Sequence, residues 1–128
     1  FEHRSYGDEL ARCQRYYYVH VEGGGGGADK PIGTGTMYNS AQCYVLINFP
    51  TTMRDNPALK HNTGTGYYEA MANGSTDLFD DFDAIWTNGF NVNCAWLVNY
   101  NDTSLTSGSS AMVITKNSNS KIAFEAEL

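Results

Sequence analysis

Basic residues are scarce in this sequence: Lys and Arg number 8 against 14 Asp and Glu, a formal net charge of −6 over 128 residues. Nucleic-acid binding draws on a basic stripe that displaces counterions from phosphates, and none is present. The same shortage disfavours an anionic membrane surface. Long apolar runs are also missing, and nothing approaches the ~20 consecutive apolar residues that insertion into a membrane as a helix requires. Phe1-Glu2-His3-Arg4 lacks the basic-then-apolar order of a secretory signal, and a chain that does not open on Met reads as a piece of a longer protein. Cysteine is limited to Cys13, Cys43 and Cys94. An odd number without short spacing argues against a disulfide framework or a zinc site, and Cys43, inside Cys43-Tyr44-Val45-Leu46-Ile47, reads as a buried free thiol.

Catalytic patterns are absent as well. There is no G-x-S-x-G, and no Cys neighbours a His. His3, His20 and His61 are scattered without metal-ligand spacing. Glu22, Glu69, Asp81 and Asp83 could pair as glycosidase carboxylates, but any chain with 14 acids offers such pairs. The expectation is a protein that is not an enzyme, with no catalytic residues, no metal and no cofactor. Asp77, Asp80, Asp81 and Asp83 form the densest acidic cluster. Without EF-hand spacing it reads as a solvated loop or helical turn anchored by Leu78, Phe79 and Phe82 rather than a calcium site.

Gly, Asn, Ser, Thr and Tyr make up what is lacking in charge, a mixture suited to strands joined by tight turns. One helix is expected, from Ser5 to about Arg15. Ser5 caps it, Asp8 and Glu9 occupy the positive first turn, and Arg12 and Arg15 the negative last turn. Tyr6, Leu10, Cys13 and Tyr17 recur at helical spacing and form one seam, suited to a short coiled coil or to packing on a sheet. Tyr16–Val21 reads as a strand. Gly23–Gly27 follows as a mobile loop, since no Gly-Lys-Ser/Thr marks a phosphate cradle. Further strands are expected at Thr34–Asn39, Ala41–Phe49, Ala58–Asn62, Tyr67–Met71, Asp83–Trp86, Phe90–Tyr100, Ala111–Lys116 and Lys121–Leu128, with Asn73-Gly74 as a hairpin signal. In the last strand Ile122, Phe124 and Ala126 share one face. The fold class is mainly β: an antiparallel β-sandwich over residues 17–128, preceded by one short N-terminal helix in a lead-in over 1–16.

Three segments carry a resemblance. The opening Phe1-Glu2-His3-Arg4-Ser5-Tyr6-Gly7-Asp8-Glu9-Leu10-Ala11-Arg12-Cys13-Gln14-Arg15-Tyr16-Tyr17-Tyr18 resembles the F-x-x-R-S-Y/F-x-x-E-L-x-x-C-Q-R-Y-Y/F signature of tailed-phage virion proteins, many of them marine. There it introduces a C-terminal β domain. Ile47-Asn48-Phe49-Pro50-Thr51-Thr52-Met53-Arg54 is similar to that family's x-F-P-x-x-M-R element, and Ala123-Phe124-Glu125-Ala126-Glu127-Leu128 to its terminus, which closes in D/E-A-E-L. Between Pro57 and Ser120 no motif of the family is present. The resemblance implies a structural role in a fibre or spike on the virion surface, made in the host bacterial cytoplasm. It also implies assembly as a homotrimer with other virion proteins as partners, and no catalytic residues to carry over.

Aromatic residues are in surplus, with nine Tyr, six Phe and two Trp. Aromatic faces stack on pyranose rings, with Asn and Asp nearby to bond hydroxyls, so a host cell-surface glycan is the expected ligand. Trp86, Asn88, Tyr67, Tyr68 and Tyr100 are the expected ligand-binding residues, near Asn91, Asn93, Asn99 and Asn101. Trp96 alternates with Cys94 and Val98 on one strand face and reads as core. Two other functions stay open: a capsid or tail decoration module with only virion-protein partners, and a polysaccharide depolymerase.

Overall fold

The computed structural model describes residues 3, 5–86, 92–100 and 102–126, with the backbone alone for Ala84 and Trp86. The first element is α1, Tyr6–Gln14. Ser5 lies in extended conformation before it, and its side chain accepts a hydrogen bond from the Asp8 N–H at 3.2 Å. That bond satisfies one of the donors a helix start leaves unpaired.

Ten strands follow among the described residues, in two antiparallel sheets that pack as a sandwich. The small sheet runs β1 (Tyr17–Glu22), β10 (Lys121–Glu125), β4 (Ala58–His61). In the large one, β6 (Ser75–Phe79) and β5 (Tyr68–Ala72) lie at one side, next to β9 (Ser110–Thr115). β2 (Pro31–Asn39) and β3 (Gln42–Asn48) hold the centre. β8 (Cys94–Asn99) and β7 (Ala84–Trp86) complete the other side. The mainly β class, the two sheets and the short leading helix are thus as the composition and turn spacing indicate.

Alternation sets the core. Cys43, Val45 and Ile47 of β3 are buried and share the inner face with Ala95 and Leu97 of β8 and Ala111 and Val113 of β9. Ile122 and Phe124 of the small sheet meet them in one cluster, where the Phe124 ring lies 4.9 Å from that of Phe49. The Cys43 thiol is fully enclosed, and burial pushes its pKa up to about 11, which keeps it protonated and unreactive. A second aromatic group, Tyr68, Phe79 and Phe82, has centroid separations of 5.1–5.7 Å.

Two expectations need correction. Ser75–Phe79 is a strand rather than part of an acidic loop. It closes a hairpin on β5 through Asn73 (φ 52°) and Gly74 (φ 75°), the two left-handed residues that a type I′ turn requires. Gly23–Gly27 is not a free loop. All five have positive φ. The Gly23 N–H donates to the Ser120 carbonyl (2.8 Å) and the Gly25 N–H to Asp29 Oδ1 (3.2 Å). Asp29 also holds Lys116 Nζ at 2.8 Å. A Cβ on Gly24 would overlap Thr115 Oγ1, and one on Gly25 would sit 2.8 Å from the Lys116 carbonyl oxygen.

This packing separates neighbouring glycines. Gly24→Ala should cost about 3 kcal/mol or more in urea unfolding, through steric overlap added to an unfavourable φ. Gly26→Ala, where the new methyl meets open space, should cost only about 1–2 kcal/mol. Equal, near-zero effects would restore the mobile loop.

Candidate functional site

The outer face of the large sheet carries large exposed apolar side chains, Tyr38, Leu46, Trp96 and Met112 among them. Registers place them. Thr36 pairs with Tyr44 and Tyr44 with Val98; Leu46 pairs with Trp96, and Trp96 with Trp86. Tyr38 is 69 % exposed and Trp96 37 % exposed. The Tyr38 and Tyr44 rings lie 5.5 Å apart at 47°, and the Tyr44 and Trp96 rings 6.4 Å apart at 67°. With Thr36 these three line an open cleft of about 340 Å³, at the small end of the ~300–1,000 Å³ typical of small-molecule sites. The phenol of Tyr44 is raised above its ordinary pKa, by desolvation first and then by Tyr100 and Tyr38.

The expected ligand-binding residues do not form one surface. Tyr68 is corrected: it is wholly buried in the core, its hydroxyl 2.6 Å from the Asn62 carbonyl oxygen and 3.1 Å from that of Lys121. Burial raises its pKa to about 12, although the Lys121 bond pulls the other way. Tyr67 is half-buried; its carbonyl accepts from the Lys116 N–H and the Ser120 hydroxyl, at the end of the large sheet where β9 finishes. Tyr100 follows β8 at the opposite end, where its N–H donates to Asp83 Oδ2. Trp86 lies opposite Trp96 in backbone register. Asn88, Asn91 and Asn101 lie outside the described residues. Trp96 alternates with Cys94 and Val98 as expected, but although Val98 is fully buried Trp96 itself is exposed, so the expectation of a core tryptophan is also corrected.

Tyr38 and Tyr44 went unnoticed in the sequence, although a signal was there. They flank the hairpin at Asn39–Gln42, whose Asn39 side chain accepts from the Ala41 N–H at 2.9 Å. Residues so placed become cross-strand neighbours.

The acidic segment divides into separate roles. Asp77 accepts from the Ser104 N–H at 2.7 Å and Asp80 from the Gly66 N–H at 2.8 Å, each holding a loop. Asp81 and Asp83 instead converge with Asp102, their carboxylate oxygens within 4.8 Å of one another. Three such oxygens could ligate a hard cation. They also serve the fold: Asp83 accepts from the Tyr100 N–H at 2.7 Å, and Asp102 accepts from the Asn99 amide at 2.9 Å. Asn99 is fully buried, and that amide also donates to the Asp81 carbonyl at 2.9 Å. Asp102 is 21 residues from Asp81 and 19 from Asp83, so no local spacing announced it.

Both described histidines of the β domain are tied to structural groups. His20 lies 3.0 Å from the Tyr18 hydroxyl and 2.6 Å from the Ile32 carbonyl oxygen. His61 accepts from the Phe82 N–H at 3.4 Å. Burial lowers its pKa, against the opposing pull of Asp81 and Asp83.

Compared with protein-family models, with curated proteins and with solved structures, the chain matches none.

The carboxylate group sets a pH dependence. The pKa of Asp81 is raised by desolvation first and then by Asp83 and Asp102. A carboxyl whose folded pKa exceeds its unfolded one binds its proton more tightly in the native state. It penalises folding above that pKa, and the penalty fades as pH falls through it. Asp81→Asn should therefore raise the thermal midpoint at pH 7, measured with a chelator present. The difference from the parent should shrink toward zero by about pH 3, below the ordinary carboxylate range. A midpoint lowered at pH 7 would show that the Asp81 carboxylate is net stabilising.

Proposed function

We propose that this chain is a non-enzymatic module of a tailed-phage virion fibre or spike, displayed at the virion surface, assembled as a homotrimer and attaching to host-surface glycan. The carrying observation is α1. None of its residues is buried; Tyr6 is 82 % and Leu10 41 % exposed, and Cys13 is exposed beside them, while Tyr17, expected on the same seam, is exposed but begins β1 beyond the end of the helix. Its own sandwich does not cover the seam. A nine-residue helix is marginal alone in water, where isolated helices need about 12–15 residues, so it calls for a partner. A second and a third copy of the same seam supply one, as in a short parallel coiled coil around a threefold axis.

The rest of the molecule suits this use. The C-terminal end of α1 is fixed to the sandwich: the Arg15 carbonyl accepts from the Arg54 N–H at 2.7 Å, and the Arg54 guanidinium lies 5.4 Å from the Tyr16 ring centroid. Three helices joined at such a seam would carry three sandwiches in fixed orientation, and the repeated weak contacts of a fibre tip gain avidity that way. The resemblance of Phe1–Tyr18 and of the Phe49-Pro50 turn to virion proteins supplies the phage context, while the exposed aromatic face supports attachment over architecture alone.

Solution mass and binding test this together. The domain should sediment as three chains, and Leu10→Asp should reduce it to one without altering the β-sheet circular dichroism. It should bind an array of bacterial surface polysaccharides without releasing reducing sugar. Docking onto phage particles with no array binding would make it a decoration module instead, and sugar release would make it a depolymerase.

A further inference from the structure

We infer that the cleft formed by Tyr38, Tyr44 and Trp96 is a subsite for one neutral hexopyranose ring. This deepens the attachment reading and rests on it.

The lining decides the chemistry. Thr36, Tyr38, Tyr44 and Trp96 carry no ionised group, so the cleft offers a charged ligand no counter-ion. They instead offer aromatic faces beside phenol, hydroxyl and indole polar groups. A hexose has the same duality, with an apolar C–H face and a rim of hydroxyls. Aromatic side chains present large rigid area at little conformational cost, and their polar tips fix orientation. The charge around the cleft narrows the class further. Asp83 directly precedes Ala84, which pairs with Val98 next to Tyr44, and its exposed carboxylate accepts from the Tyr100 N–H beside Asp81 and Asp102. Three carboxylates so placed repel an anion, so uronic acids and phosphorylated sugars are disfavoured and neutral hexoses are not.

A protein occupant fits less well. The cleft is small, and an interface between proteins needs a patch of roughly 800 Å² per partner around buried anchors. Tyr38 is the most exposed member and belongs to the hairpin end, so it closes one side of the cleft without supporting the core beneath.

The experiment uses the parent domain and NMR titration with methyl glucoside, methyl mannoside and methyl galactoside, with methyl glucuronide as the anionic probe. At least one neutral hexoside should shift the aromatic resonances of Tyr38, Tyr44 and Trp96, and the glucuronide should bind at least tenfold more weakly. Tyr38→Ala should weaken the neutral sugar tenfold or more. Tyr44→Phe, which keeps the ring and removes the hydroxyl, should weaken it less. Met112→Ala, exposed on the same sheet face but outside the cleft, should leave it unchanged. Array binding by the parent that survives Tyr38→Ala and Trp96→Phe would overturn the subsite and leave the attachment reading standing. No array binding by the parent would remove both. A solution mass altered by Tyr38→Ala would make the cleft a contact between chains and overturn the sugar assignment.

Discussion

The sandwich depends on Tyr68. Its ring belongs to the large sheet and packs with Phe79 and Phe82, while its hydroxyl reaches the backbone of Asn62 and Lys121, at the ends of two strands of the small sheet. Apolar burial gives the two sheets a common interior without fixing their relative position, because the hydrophobic effect has no direction. A buried phenol that must find a carbonyl does have direction, since an unsatisfied buried polar group costs about 1–3 kcal/mol. Tyr68 thus sets where the small sheet sits. The loops leaving it, the glycine turn and the Asn117–Ser120 turn included, take their places from that.

Around this anchor the polar interior is used sparingly and for position. Asn99 joins the segment before β7 to the loop after β8, and Thr115 accepts from the Lys30 N–H at 3.0 Å. Such bonds add about 1 kcal/mol each, but they select one loop arrangement from many. The exposed aromatic cluster is held in the same way from below. Tyr44 and Trp96 project from β3 and β8, whose inner residues Val45 and Leu97 are locked in the core. A rigid sheet therefore presents them, rather than a loop.

What could be read in the sequence followed the range of the signal. The Ser5 cap, the β3 alternation and the Asn73-Gly74 turn depend on residues within a few positions of each other, and the structure has them, whereas Tyr17, set on the helical seam by the same kind of spacing, starts β1. The strand Ser75–Phe79 was hidden because Asp77 and Asp80 look like loop residues until their distant backbone partners at Ser104 and Gly66 are known. For Trp96 the period showed correctly which residues share its face. Whether a face is covered, however, depends on a second sheet whose placement no local pattern encodes. The Tyr44–Trp96 contact needs the pairing of β3 with β8, and the Asp81–Asp83–Asp102 group needs the same sheet to be complete. The glycine run looked mobile because composition alone cannot show that Thr115 and Lys116 lie against it.

The pairing of β1 with β10 also bears on how the chain reaches this state. Tyr17 is opposite Glu125, and His61 is opposite Ile122. Both β1 and β4 must therefore wait for β10 to be made, since it lies between them. Long-range pairing of this kind delays the reward for closing the chain, and folding slows as sequence separation grows. During synthesis the growing chain holds the apolar strands of the large sheet before the sheet that will cover them exists. It is then exposed to misassociation with its neighbours until Lys121–Glu125 has been made and the small sheet can close.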